Sequence, residues 1–469
     1  MRSLEDSFYK LLSTYKRVPD WAKSIIAVPF KIFPRTVYLG NQYKTYYDVI
    51  KKLEFAPKQT VEEYQWQKLK ELLNHCYNTV LFYREKWNEY GININTIHDF
   101  SDFKKTIPLL TKKEIQNNPE AFISKAYSKK DILTANTGGS TGKPLKLFYL
   151  KGNSRAAEWA HMHMLWSRVG YNPKSRLARI RGDYIGKNRT HSYDPWRNML
   201  ILSSFNINNA TAESYFALMK KYKIEFINAY PSSLYNLIQV SGLSHINIPT
   251  LKAVLLGSEN VLDYQVKRIK DFFNIDKVFF WYGHAELCNL GGNCEYSNDY
   301  HFFPSYGYTE FFKTNSINDT AIENIVEIVG TSFINPLMPL IRYKTEDYGI
   351  EKKTNCTCGR NHMLLSKVIG REQEIAVGFN NTKITLTALV FGRHQNYLNH
   401  VVNMQIINTS PGELLVKVIT MTSFTDQHKK EIINSLSEKE GMPFNTKVEM
   451  VETLSKTKNG KHRFLIREF

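Results

Sequence analysis

Two clusters in this chain have residue types and spacing suited to chemistry. The first is Asn136-Thr137-Gly138-Gly139-Ser140-Thr141-Gly142-Lys143-Pro144. Glycines admit positive φ and let successive backbone N–H groups converge on an anion, while the hydroxyls and the lysine add donors. The run reads as a phosphate cradle. It departs from the G-x-x-x-x-G-K-[ST] loop that opens a helix. Position 137 is Thr, Pro144 follows the lysine, and 144–149 alternates as a strand does.

The second cluster is Cys294-x6-His301 with Cys356-Thr357-Cys358-Gly359-Arg360. Three thiols and one imidazole make a closed tetrahedral set of the kind structural zinc takes. Spacing alone leaves buried, metal-free thiols equally open. Five cysteines is an odd number, which argues against a disulfide framework. Cys76 and Cys288 read as small apolar core residues. His161, His163, His284 and His301 show no nucleophile–base spacing, and no nucleic-acid-binding module is marked.

Elements must hold these clusters in place. Residues 61–77 carry apolar positions three and four apart, as a helix does, and Thr111-Lys112-Lys113-Glu114 reads as a capping box. From about 130 to 350, short β-rich runs alternate with amphipathic helices: 224–230, 251–256, 278–282 and 325–329 read as strands. Beyond Gly370-Arg371, strands at 405–408, 414–421 and 447–451 surround a helix at 425–439. The fold class is therefore α/β: a large multi-sheet domain over 61–370, a small mobile α+β lobe over 371–469, and a basic N-terminal arm over 1–60.

Composition agrees with a globular chain. Of 469 residues 42% are hydrophobic and 23% charged, which excludes disordered and collagen-like classes. The balance of 62 − 44 gives +18, which suits polyanions such as nucleotides, coenzyme phosphates or acidic lipid. Residues 7–44 hold seven Lys/Arg and one acid, Asp20. That arm fits either peripheral contact with an anionic membrane or packing on the body. Apolar stretches such as 24–30 fall far short of the roughly 20 residues a spanning helix needs. The first residues lack the pattern of a secretory signal, so we expect a cytoplasmic protein, or one peripheral on the inner membrane face.

The glycine-rich loop and the segments C-terminal to it resemble the adenylate-forming superfamily of acyl-CoA synthetases and adenylation domains. Within it the chain resembles the phenylacetate–CoA ligase branch and its CapK-like members associated with surface polysaccharides. The resemblance runs from about residue 60 to the C-terminus. It implies that Thr137–Lys143 grips pyrophosphate and that Gly257-Ser258-Glu259 lines the adenine. Tyr282-Gly283-His284-Ala285-Glu286 matches a motif whose tyrosine stacks near the adenine and whose glutamate supports Mg²⁺. Ala285 replaces the usual hydroxyl residue. In Arg342-Tyr343-Lys344-Thr345-Glu346-Asp347, Asp347 takes the ribose hydroxyls. Gly370-Arg371 matches the hinge between the lobes, with Arg371 near the ribose and Gln373 in a position usually acidic or lysine. Lys456-Thr457-Lys458-Asn459-Gly460-Lys461 resembles the loop that inserts the adenylation lysine, Lys461.

The resemblance further implies ATP and Mg²⁺ as cofactors, a small carboxylic acid as substrate, and coenzyme A, a carrier thiol or an amino sugar as acceptor. It favours zinc at Cys294, His301, Cys356 and Cys358, with a structural role that staples the loop after Glu286 to the segment after Asp347. A catalytically degenerate, membrane-associated scaffold of polysaccharide assembly is the alternative, motivated by Ala285, Gln373 and the basic arm.

Overall fold

The computed structural model describes Val18, Lys23, 35–136, 145–183, Ile185, 189–313, 324–371, 375–379, 382–385, Tyr397, 400–436, 444–457 and 462–469. The glycine-rich loop 137–144, Gln373 and Lys461 lie outside these residues. The loop's flanks are inside them: β1 (Ile132–Asn136) and β2 (Lys146–Leu150) pair antiparallel, with Asn136 opposite Lys146. The alternation seen after Pro144 is thus a strand.

The body is organised on a twelve-stranded sheet. Five of its strands run parallel as neighbours: β5 (Met199–Leu202), β3 (Leu177–Ile180), β6 (Phe226–Ala229), β7 (Ala253–Gly257) and β8 (Val278–Gly283). The short strand β4 (His191–Asp194) closes that edge antiparallel to β5. Side chains alternate between two cores with the period of two that a strand dictates. Ile227, Val254, Leu256 and Phe280 pack on one side with residues of the helices Asn209–Lys221, Pro231–Val240 and Asp263–Phe273. Phe226, Leu255, Phe279 and Trp281 pack on the other with the helix Ser154–Ser167. Both faces are covered, which explains why these strands read as nearly continuous apolar runs.

From β8 the sheet continues antiparallel through β9 (Leu290–Gly292), β10 (Tyr300–Phe302), β14 (Met363–Arg371), β13 (Tyr343–Glu351), β12 (Ile325–Ser332) and β11 (Gly307–Lys313). A third core joins Leu69, Trp87 and Phe103 of the N-terminal helices to Leu147 and Tyr343. The expected helix at 61–77 is the helix Lys58–Thr79, and the capping box at Thr111 forms with both of its hydrogen bonds.

The described part of the arm packs on this body. The helical run Arg35–Leu53, kinked at Gly40, lies along the helix Ser154–Ser167, and the Tyr43 hydroxyl meets His163 Nδ1 at 2.9 Å. Most of the basic-aromatic stretch before it lies outside the described residues. No helix among the described residues is long and apolar enough to cross a membrane.

The small lobe follows β14. Two strands, β15 (Val401–Ser410) and β16 (Glu413–Thr420), form its antiparallel centre, flanked in parallel by β18 (Leu465–Arg467) and β17 (Asn445–Met450). The helix Asp426–Ser435 closes a core of Ile406, Val416, Ile432, Phe444 and Leu465. The helix starts at Asp426 because Thr425 is its N-cap, and it ends at Ser435; residues 437–439 lie outside the described residues.

Candidate functional site

Parallel strands with helices on both faces leave a crevice outside their carboxyl ends, where such folds bind ligands. In this chain those ends are Ile180, Ala229, Gly257 and Gly283. Gly257 is required by close packing, since a Cβ there would lie 2.5 Å from the Trp281 ring. The next residue, Ser258, has φ 68°, so the chain turns sharply as it leaves the sheet.

Three residues singled out by the sequence converge across β8 and β13. Tyr282 donates its hydroxyl proton to Asp347 Oδ2 at 2.7 Å, and Asp347 is buried. The backbone of Arg371 pairs directly opposite Asp347. Glu286, four residues beyond Tyr282, is also buried: its Oε1 accepts from the Tyr343 hydroxyl at 3.2 Å and its Oε2 meets His284 Nδ1 at 3.2 Å. Burial works against a charged His284, but the hydrogen bond and charge of Glu286, helped by Asp347, outweigh it and raise the imidazole pKa. Asn289 Oδ1 meets the other imidazole nitrogen at 3.3 Å, while its amide donates to Thr309 at 2.8 Å. Ala285 offers no hydroxyl, yet its carbonyl accepts from Tyr149 of β2 at 2.5 Å, so the turn is tied to the strand leaving the glycine-rich loop. Arg342 of the same motif is structural: its guanidinium binds both oxygens of buried Glu310, at 3.0 and 2.9 Å.

Glu259 links the lobes. Its Oε2 accepts from the backbone of Ser232 at 3.1 Å, and its Oε1 accepts from the backbone of His462 at 2.9 Å. Lys456 pairs with His462 as a β-bridge and reaches the Ser204 carbonyl at 3.3 Å. The two ends of the lysine-bearing loop are therefore anchored at the carboxyl edge of the parallel strands.

The sequence reading missed a group of charged residues beside this crevice. Arg181 follows β3 directly; it donates to Ser258 Oγ, and its guanidinium lies 5.0 Å from the Tyr230 ring and 5.8 Å from the Trp281 ring. From the helix Ser154–Ser167, Glu158 comes within the fields of Arg155, His284 and Arg181. Burial raises the Glu158 pKa despite those cations. A signal was available: residues 151–191 carry nine Lys/Arg against Glu158 and Asp183 alone.

The cysteine–histidine cluster assembles away from these groups. The ligand atoms of Cys294, His301, Cys356 and Cys358 all lie within 4.8 Å of one another, and all four residues are buried. Cys294 Sγ and Cys356 Sγ are 3.6 Å apart, close to the roughly 3.8 Å edge of a tetrahedron with Zn–S near 2.3 Å. Backbone N–H groups of Tyr296 and Ser297 each donate to Cys294 Sγ at 3.3 Å and orient the sulfur. Burial, with the charges of Arg168 and Arg360, pushes the His301 pKa down to about 3, which keeps the imidazole neutral for a metal. The donor set and its dimensions fit zinc.

A buried ion network not foreseen from the sequence adjoins the cluster. Glu54, at the end of the arm, accepts from Arg168 at 3.0 Å and from Arg360 at 2.6 Å; Arg360 also binds both oxygens of Glu295, at 2.7 and 2.9 Å. The arm, the helix Ser154–Ser167 and the cysteine segment are thereby locked together.

Comparison with known proteins places this architecture. Residues 379–468 match the family described as the CapK C-terminal domain. Across 464 residues the chain is 23% identical to protein CapK of Staphylococcus aureus, covering 94% of this chain and 96% of that protein. It is 22% identical to the phenylacetate-coenzyme A ligase of Thermus thermophilus, over 70% of this chain and 74% of that one. Among solved structures, 2-hydroxyisobutyryl-CoA ligase in the postadenylation state, in complex with 2-HIB-AMP, aligns with a TM-score of 0.68 at 17% identity, over 89% of this chain and 92% of the other. The same ligase in the thioesterification state aligns at 0.55. Fold and relatives together make this chain similar to phenylacetate–CoA ligases and, over nearly its whole length, to protein CapK.

Proposed function

We propose that the protein activates a small carboxylic acid with ATP, forming an acyl-adenylate and releasing pyrophosphate, and then transfers the acyl group to coenzyme A. A carrier thiol or an amino sugar fits the second step equally, and the CapK relationship favours a place in surface-polysaccharide biosynthesis. The observation that carries the reading is the convergence of Tyr282, Asp347 and Glu286 with both anchors of the Lys461 loop at one edge of the sheet.

Each residue has a task. Asp347 takes the ribose hydroxyls, held in place by Tyr282 and by its pairing with the Arg371 backbone. Gly257, Ser258 and Glu259 border the adenine, and Gly283 lets the chain leave β8 beside it. The glycine-rich loop holds the departing pyrophosphate. Glu286 is a hard carboxylate oxygen donor of the kind Mg²⁺ takes. Magnesium, when bound, neutralises charge on the α-phosphate as the carboxylate attacks. Lys461, next to the anchored His462, adds a second positive charge in that transition state. The better fit to the postadenylation arrangement of a distant ligase agrees with a lobe closed for the first half-reaction. Zinc at Cys294, His301, Cys356 and Cys358 is structural, since four protein donors fill its coordination.

ATP–pyrophosphate exchange against aryl, hydroxy, keto, fatty and amino acids tests this reading. Exchange with one class is the expected result. Silence across the panel, with ATP binding confirmed by calorimetry, sinks it in favour of a degenerate nucleotide-binding scaffold.

A further inference from the structure

Among the described residues, Arg181 is a cation without a carboxylate partner at the edge of the crevice. Its neighbours account for the available carboxylates: Asp183 pairs with Arg179 at 2.8 Å, and Glu259 is engaged with Ser232 and His462. No described carboxylate forms an ion pair with Arg181, and its Nε is enclosed without a hydrogen-bond partner among the described residues. Leaving a half-buried guanidinium unmatched is unfavourable unless something else supplies the charge. Tyr230 and Trp281 flank its plane and Ser258 holds one nitrogen, so the group is oriented before any ligand arrives.

Arg155 and His284 lie close to Glu158, whose neutral form burial favours. Asp183 also acts on Arg181 through its charge, but it is paired with Arg179 instead. A pocket for an unsubstituted aryl or fatty acid has no use for such charges, because each would be desolvated by an apolar ligand at a cost. A planar guanidinium fork matches a carboxylate by two parallel hydrogen bonds.

We propose that the acid activated here carries a second carboxylate, and that Arg181 receives it while the first is presented to ATP. The inference rests on the adenylation reading and narrows its substrate to dicarboxylic acids. Arg181 is then the specificity-determining residue of the site.

Pyrophosphate exchange with matched pairs tests this: butyrate against succinate, benzoate against isophthalate, phenylacetate against 4-carboxyphenylacetate. In the wild-type protein, the second carboxylate should raise kcat/KM in at least one pair by about 10- to 100-fold, the range of a hydrogen bond to a charged group. Arg181→Gln should erase that gain, lowering kcat/KM for the diacid at least about 10-fold more than for the monoacid, and Arg181→Lys should restore part of it. A preference for the monoacid in every pair overturns the proposal and leaves adenylation standing. So does an equal loss for both partners in Arg181→Gln, which would assign the arginine to the nucleotide or to the reacting carboxylate. Absence of exchange in all pairs overturns this inference, and silence across the broader acid panel as well, with ATP still bound, overturns adenylation itself. Thermal unfolding of Arg181→Gln near the wild-type midpoint excludes misfolding as the cause.

Discussion

The crevice and the cysteine–histidine cluster are both built from polar groups on the same sheet, and they resolve their charges in opposite ways. At the cluster the charges are paired: four ligand atoms face one another, N–H groups support the sulfur, and Glu54 with Glu295 answers Arg168 and Arg360, although Glu54 Oε2 and both His362 nitrogens have no hydrogen-bond partner among the described residues. At the crevice, Arg181 has no ion-pair partner among the described residues, and Glu158 is held toward its neutral form. A site that is complete without a small organic ligand contributes to stability; one left incomplete is waiting for a reactant. The two regions should therefore respond differently to substitution, the crevice in rate and the cluster in stability.

Lys461→Ala should show the largest effect. Losing a charge that acts in the transition state lowers exchange by about 10²- to 10³-fold, by analogy with removing one oxyanion donor. ATP affinity and thermal midpoint should hardly change. Full exchange activity in this variant would break the comparison on the crevice side. Next comes Glu54→Ala, which strands buried Arg168 and leaves Arg360 with Glu295 alone, and should cost about 3–5 kcal/mol of unfolding free energy in denaturant titrations. Specific activity of the folded fraction should survive; loss of activity without loss of stability would place Glu54 in the wrong class. Cys358→Ser should release about one equivalent of zinc by metal analysis and lower the melting temperature, with KM for ATP unchanged. Wild-type protein holding less than half an equivalent would reject zinc there.

These contrasts also mark how much was legible in the sequence. The strands 224–230, 251–256 and 278–282 were readable because both of their faces are buried and the residues are β-branched or aromatic. The four metal-type residues were readable as a set because Cys and His are few and their spacing is local in two pieces. The sequence reading joined the two pieces into one expected site, and the fold brings Cys294 and Cys356, 62 residues apart, together. Arg181, Glu158 and Glu54 were not legible for one physical reason. An isolated charged residue in a sequence gives no sign of whether its partner exists. Glu54 finds Arg360 some 306 positions away, whereas Arg181 finds no such partner among the described residues, and only the fold distinguishes the two.

The smallest effect sharpens the comparison most. Tyr282→Phe removes one hydroxyl and leaves the ring proposed to border the nucleotide. The lost bond, 2.7 Å to Asp347 Oδ2, goes to a charged acceptor, yet Asp347 keeps the bond from its own backbone to Thr345 Oγ1 at 3.1 Å and its pairing with Arg371. The carboxylate should stay in place but turn more freely, so the KM for ATP should rise by about 10-fold, within the range for one charge-assisted hydrogen bond. Because the hydroxyl touches no reacting atom, kcat should fall far less than KM rises. The converse result, a fall in kcat at constant KM, would move Tyr282 from holding the ribose-binding group to acting in the transition state, and would redraw the boundary between binding and chemistry within the crevice.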